Sequence, residues 1–229
     1  MSFVDIKANL QRIEKRVAEA AYRSGRHPDD VTLVAVSKTV YIPEIKDTIN
    51  CGILDFGENR VQDLIRKIKC IPQARWHMIG RLQSNKVKDI VGKVVLIHSL
   101  DRWKLAETIN SRGQHLGITV PTLLQVNISG EVQKTGVDPS DVESYLDSIG
   151  QLRSIKVCGF MTMAPQSEDP EQARPVFRQL FELREKLKGR RFTNVELKYL
   201  SMGMSRDFEV AIEEGANIVR IGSAIFSNA

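Results

Sequence analysis

VTLVAVSK, residues 31–38, is a run of strand-formers that is apolar almost without a break and ends on a lysine. A strand with one wet face alternates polar and apolar residues, whereas a run like this suits a parallel strand covered on both faces. Seven further runs follow: ILDFGEN (53–59), RWHMIG (75–80), VVLIHSL (94–100), TLLQVNIS (122–129), VCGFMTM (157–163), ELKYLSMG (196–203) and NIVRIGSAIF (217–226). The spacers carry helix punctuation. Pro43, Pro139 and Pro170 stand at first helical positions, and Asp138 and Asp169 are placed to cap two of them. Gly113 and Gly215 can end helices after RWKLAETINSR and RDFEVAIEE. Ahead of the first strand, Ile6, Leu10, Ile13, Val17 and Ala20 or Ala21 recur at helical spacing. Strand alternating with helix eight times predicts a (β/α)8 TIM barrel with an extra N-terminal helix, the rival being an open doubly wound sheet. No linker-like composition divides the chain, so one domain over residues 1–229 is expected.

Bulk composition excludes several classes. The chain of 229 residues is 42% hydrophobic and 27% charged, as ordinary globular proteins are. The opening MSFVDIKANLQRIEKRV is charged throughout and has no apolar core of a signal peptide. Three widely spaced cysteines, Cys51, Cys70 and Cys158, suggest reduced thiols and a cytoplasmic setting. The net charge of +5 is spread among interleaved acids, and aromatic residues make up 6%, which argues against nucleic-acid binding. Cys158 and Cys51 read as core, and His27, His98 and His115 have no ligand-like spacing, so no metal is expected. A monomer is the default expectation.

Functional residues of barrels gather at the C-terminal ends of strands. Those positions hold Lys38, Asn59, His77, Asn127, Met161, Thr162, Ser201 and Arg220. In YLSMGMSRD, Ser201, Gly203 and Ser205 precede a helical pattern, and VRIGSAIF brings Gly222 and Ser223 after the last strand. Loops after strands seven and eight are the usual phosphate cradle of barrels. The plainer reading makes Ser205 the N-cap of RDFEVAIEE. Val34, Val36 and Lys38 share one strand face, which puts an amine in line with buried valines. Lysine forms Schiff bases with carbonyl compounds, and an apolar setting frees the amine. Beside a phosphate cradle, it suits pyridoxal phosphate, a sugar-phosphate aldolase, or no chemistry at all in a solvated strand end.

LVAVSKTV, FGENRVQ, WHMIGRLQSNK, LLQVNISGE, GFMTMAP, LSMGMSRDFEVAIEEG and VRIGSAIF together resemble the YggS/PROSC-type pyridoxal phosphate homeostasis proteins, relatives of the barrel domain of alanine racemase. The resemblance runs from about Val31 to Phe226 and implies a fold-type III barrel that holds pyridoxal 5′-phosphate as a Schiff base on Lys38. It implies Ser201, Gly222 and Ser223 at the phosphate, helped by the turn through Gly203 and Ser205. It sets Asn59 and His77 near the cofactor, Met161 near its ring and Arg220 against the pyridine nitrogen, with Val36 counted in the same lining. An arginine there disfavours a protonated ring and weakens the electron sink. The sequence ends soon after its eighth strand-like run, with no counterpart of the second racemase domain, and offers no second base opposite Lys38. The implied role is intracellular cofactor homeostasis with little or no turnover, possible recipients being pyridoxal-phosphate enzymes; the alternative is a racemase-like enzyme of low activity. The sequence departs from the family pattern in GEVQKTGV (130–137), in Ser223 where threonine is common, and in the ending IFSNA.

Overall fold

The structure, a computed structural model, describes residues 4–130 and 135–227. The run GEVQKTGV therefore lies in part outside the described residues. Eight parallel strands close into a barrel in strict chain order: β1 (Thr32–Val36), β2 (Asp55–Glu58), β3 (Arg75–Met78), β4 (Leu96–Leu100), β5 (Val120–Gln125), β6 (Ile155–Met161), β7 (Val195–Ser201) and β8 (Ile218–Ile221). The barrel closes through β8 and β1, where Val34 pairs with Arg220 and Ala35 with Ile221. The open-sheet rival is thereby excluded.

Alternation along each strand separates two cores. Ala35, Phe56, Trp76, Ile97, Phe160, Leu200 and Val219 point outward into one large cluster shared with the helices. A smaller cluster, with Val34, Leu96, Leu123, Cys158, Met161 and Ile218, fills the interior. Each residue of the first set is buried under a helix, which is why these strands read as near-continuous apolar runs.

The helices are α1 (Ile6–Arg23), α2 (Ile42–Asn50), α3 (Val61–Cys70), α4 (Val87–Ile90), α5 (Trp103–Leu116), α6 (Val142–Ile149), α7 (Arg174–Lys188), α8 (Phe208–Glu213) and α9 (Ser223–Phe226). On α1 the residues Ile6, Leu10, Ile13, Val17, Ala20 and Ala21 form the buried stripe that the spacing predicts. This helix is tied to the end of the barrel by Asn9, whose Nδ2 donates to the Ile225 carbonyl at 2.9 Å. Asp138 and Asp169 cap short 3-10 turns that begin at Pro139 and Pro170 and lead into α6 and α7.

Two local expectations fail. Gly113 does not end α5, which runs on to Leu116 and stops at Gly117 in the left-handed region. A Cβ at Gly113 would lie 2.8 Å from the Ser154 carbonyl oxygen, so this glycine serves close packing inside the helix. The eighth strand ends at Ile221, and SAIF (223–226) is helical because the chain turns at Gly222.

Candidate functional site

β1 ends at Val36, and Ser37 and Lys38 carry the chain out of the sheet. Thr39 then adopts φ 65°, and the Val40 amide closes the turn on the Ser37 carbonyl at 2.9 Å. Lys38 is exposed at the C-terminal mouth, while Val36 beneath it is buried. Burial among valines therefore does not desolvate the amine; the strand row ends one residue too early for that. Beneath the turn lies a buried ion pair. The Lys67 ammonium on α3 donates to Glu58 Oε1 at 2.5 Å and to the Ser37 carbonyl at 2.6 Å. The Ser37 hydroxyl donates to the same carboxylate oxygen at 2.7 Å. Three elements are thus locked together directly under Lys38.

A cavity of about 580 Å³ opens at this mouth. Its lining brings together Val36, Lys38, Asn59, Ile79, the Met163–Ser167 stretch, Met204 to Asp207, Arg220, Gly222 and Ser223. Gly80 lets the chain after β2 come close, since a Cβ there would lie 2.3 Å from the Asn59 carbonyl oxygen. Ser205 is not the cap of α8; that position is Asp207. Instead the Ser205 Oγ accepts from the amides of Gly222 and Ala224, at 3.2 and 3.3 Å. The loops after β7 and β8 are thus stitched together through the amides of Gly222 and Ala224. At Gly222 a Cβ would stand 3.2 Å from the Val36 Cβ and carbonyl oxygen, so the glycine keeps β1 and this turn in close approach.

Below the cavity, inward positions of five strands carry polar side chains. Arg220 is 5% exposed. It donates from one terminal nitrogen to Ser201 Oγ at 2.6 Å and from the other to the Thr162 carbonyl at 3.0 Å. Burial draws its pKa down to about 10, partly offset by Asp207, which leaves it charged at neutral pH. His98 Nδ1 lies 2.9 Å from Ser201 Oγ, and His98 Nε2 lies 2.9 Å from His77 Nδ1. His77 Nε2 lies 3.0 Å from Asp55 Oδ1. Arg75 donates to the same carboxylate through Nε at 2.8 Å. Complete burial, then the nearby His77 and Arg220, hold His98 well below the ordinary histidine range. Burial pulls the Asp55 carboxyl upward, but hydrogen bonds from His77 and Arg75 outweigh it and hold the group below the usual range. Burial pushes the Asp207 carboxyl up, against the opposing pull of the Met204 amide, Arg220 and its own backbone amide.

Over most of its length, 95% of each chain, the protein is 48% identical to the pyridoxal phosphate homeostasis protein of Aquifex aeolicus, across 219 residues. This chain belongs to the pyridoxal phosphate homeostasis protein family. The model of the alanine racemase N-terminal domain matches residues 8–228, in keeping with a family built on that barrel. PipY of Synechococcus elongatus, solved without pyridoxal phosphate, superposes with a TM-score of 0.82 at 35% identity, covering 94% of this chain and all of PipY. Its structure with pyridoxal phosphate bound gives 0.79 at 33% identity, covering 92% of this chain and again all of PipY.

Against the family expectation, the site residues divide in two. Val36, Lys38, Asn59, Ser205, Arg220, Gly222 and Ser223 meet in the one cavity. Ser201 does not line it; fully buried, its hydroxyl lies between Arg220 and His98, because it ends β7 on an inward position. His77 and Met161 also lie inside the barrel below the cavity, and Met163 lines the mouth in place of Met161. Gly203, at φ 90°, acts through the backbone: a Cβ there would lie 2.6 Å from Ala211 Cβ, so it seats α8 beneath the loop. Missed altogether were His98, Asp55 and the Glu58–Lys67 pair. A signal for His98 existed, since it stands two residues after Leu96 and so on the same inward face as His77 on the neighbouring strand.

No helix among the described residues is long and apolar enough to cross a membrane. Among them, too, no group of three or more histidine, cysteine or carboxylate side chains is arranged to hold a metal ion.

Proposed function

We propose that this protein binds pyridoxal 5′-phosphate in the cavity at the C-terminal mouth, with Lys38 as its covalent partner, and serves the cofactor's homeostasis without catalytic turnover. The observation that carries the reading is the meeting of three chemistries in one cavity: the Lys38 amine, the Arg220 guanidinium and the two amides stitched by Ser205. They match an aldehyde, a pyridine nitrogen and a phosphate in turn. When bound, the group supplies an aldehyde that condenses reversibly with an amine and a ring that can accept electrons. Arg220 keeps a positive charge at the ring nitrogen's place and so disfavours its protonation, which weakens electron withdrawal. Ser205, Gly222, Ser223 and the amide of Ala224 are the phosphate set; Asn59 stands at the rim.

Support for the absence of turnover comes from the lining. Racemisation needs an acid or base on each face of the reacting carbon. The carboxylates of the lining are Asp169 and Asp207, and both are engaged: Asp169 accepts from the Glu171 amide and Asp207 from the Met204 amide. Tyr22, Tyr41, Tyr145 and Tyr199 all lie outside the lining.

The test is the visible absorbance spectrum of the purified protein, before and after borohydride, with Lys38→Ala alongside. The expected result is a yellow protein whose colour is fixed onto Lys38 by reduction and is lost in the variant. A colourless protein that takes up no added pyridoxal phosphate overturns the reading, as does α-proton exchange from alanine that disappears in Lys38→Ala.

A further inference from the structure

The interior row of Arg220, Ser201, His98, His77 and Asp55 joins the two ends of the barrel. Arg220 and Ser201 lie at the C-terminal end, beneath the cavity, whereas Asp55 and Arg75 begin β2 and β3 at the opposite mouth. Arg75 is largely exposed there, so the row ends at solvent. Each step between the five side chains is of hydrogen-bond length, from 2.6 to 3.0 Å.

The donors in such a row must agree in direction. Arg220 only donates, so Ser201 Oγ accepts from it. In one arrangement the Ser201 hydroxyl donates to His98 Nδ1, His98 Nε2–H donates to His77 Nδ1, and His77 Nε2–H donates to Asp55. Both rings are then neutral, with the proton on Nε2. In the other, His77 Nδ1–H donates to His98 Nε2 and His98 Nδ1–H donates to Ser201. His77 must still present a proton to the Asp55 carboxylate, so it carries two and is an imidazolium. The second arrangement holds one proton more, taken from solvent, and Ser201 then accepts from His98 and Arg220 at once. Intermediate patterns leave two lone pairs or two protons facing each other inside the barrel.

We propose that Ser201, His98 and His77 are positioning residues for the ring-nitrogen end of the site: they set the polarity of the hydrogen bond that holds Arg220, and one proton at the His77–Asp55 end reverses it. This rests on the reading of Arg220 as the partner of the cofactor ring. The titratable and charged groups that face this row are Asp207 beside Arg220, Arg75 on β3, and Cys158 on β6 and Tyr199 on β7, the last two flanked by the more exposed Lys156, Glu196 and Lys198; β1 and β5 bring only uncharged side chains inward. No other acid on the inner face competes with Asp55 for His77 among the described residues.

Imidazole-nitrogen NMR of isotope-labelled protein tests the row without any cofactor, His77 and His98 being assigned through His77→Gln and His98→Gln. At about pH 8 both rings should carry the proton on Nε2. As the pH falls, His77 should gain its second proton in the same step in which His98 moves its proton from Nε2 to Nδ1. A His98 tautomer that stays fixed while His77 titrates overturns the proposal. The same protein is then loaded with pyridoxal phosphate and its visible absorbance titrated. Ser201→Ala should move the midpoint by about half a pH unit or more, and Ser201→Thr, which keeps the hydroxyl, should restore it. A retained cofactor with an unmoved midpoint in Ser201→Ala makes the row merely structural. A protein that takes up no cofactor overturns the proposed function instead, and the NMR result still decides the row.

Discussion

Thr39 holds a left-handed backbone one residue after Lys38, a conformation that costs a non-glycine residue roughly 1–2 kcal/mol. The strain ends β1 sharply and leaves Lys38 on the rim, so the amine meets the cavity and solvent together. At this scale the phosphate set can also be tested. Ser205 and Ser223 are the hydroxyls of the lining in the loops after β7 and β8, and each donor to an anion contributes roughly 1 kcal/mol or more. Replacing both by alanine should weaken pyridoxal phosphate retention at least about tenfold in a spectroscopic titration. Equal affinity in the double variant would move the phosphate elsewhere. Lys38, Arg220, Gly222 and Ser223 were legible from their places at strand ends. Ser201 was read from its motif as a phosphate residue, whereas its hydroxyl lies between Arg220 and His98; a motif cannot show which way a strand's last side chain turns.

The element scale is governed by what lies under the strand ends. Glu58 and Lys67 are almost completely buried, and together with Ser37 they bind β1, β2 and α3 into one unit. Removing one partner of such a pair leaves a buried charge and costs about 3–5 kcal/mol. Lys67→Met should therefore lower the urea midpoint strongly, and Glu58→Leu added to it should recover more than half of the loss. A single variant as stable as the parent would show that the pair contributes nothing. This pair escaped the sequence reading because a lysine in the amphipathic α3 looks like a solvated face. Only closure of the barrel brings it over the Ser37 carbonyl. The eight strands were easy to read for the opposite reason, their two covered faces making long apolar runs. SAIF was read as strand because its apolar residues carry no period in four positions, and Gly113 because a packing glycine resembles a stop.

For the whole molecule, the interior row makes acid stability a joint property of distant strands. The buried His98 resists protonation, whereas the unfolded ring takes its proton near the ordinary value of about 6.5. Unfolding thus binds protons as the pH drops below about 6.5, and stability falls from there. Asp55 acts lower down. Its folded carboxyl sits below the ordinary range, so its contribution is present above about pH 4 and is lost as the pH falls through the depressed value. Thermal midpoints should decline in two stages, and His98→Gln should remove the upper one; a flat midpoint from about pH 7 to about pH 5 would contradict this. None of this was visible in the spacing of four histidines along the chain, because the row forms only when strands β2, β3, β4, β7 and β8 close into a ring.

The rim position of Lys38 bears on how long a passenger stays. Water is the reagent that undoes the link between an aldehyde and an amine, and with Lys38 as the proposed covalent partner its exposure leaves such a link within water's reach. On the proposed reading, arrival and departure share the cavity mouth, and a firmer hold on the phosphate by the loops after β7 and β8 should lengthen the stay.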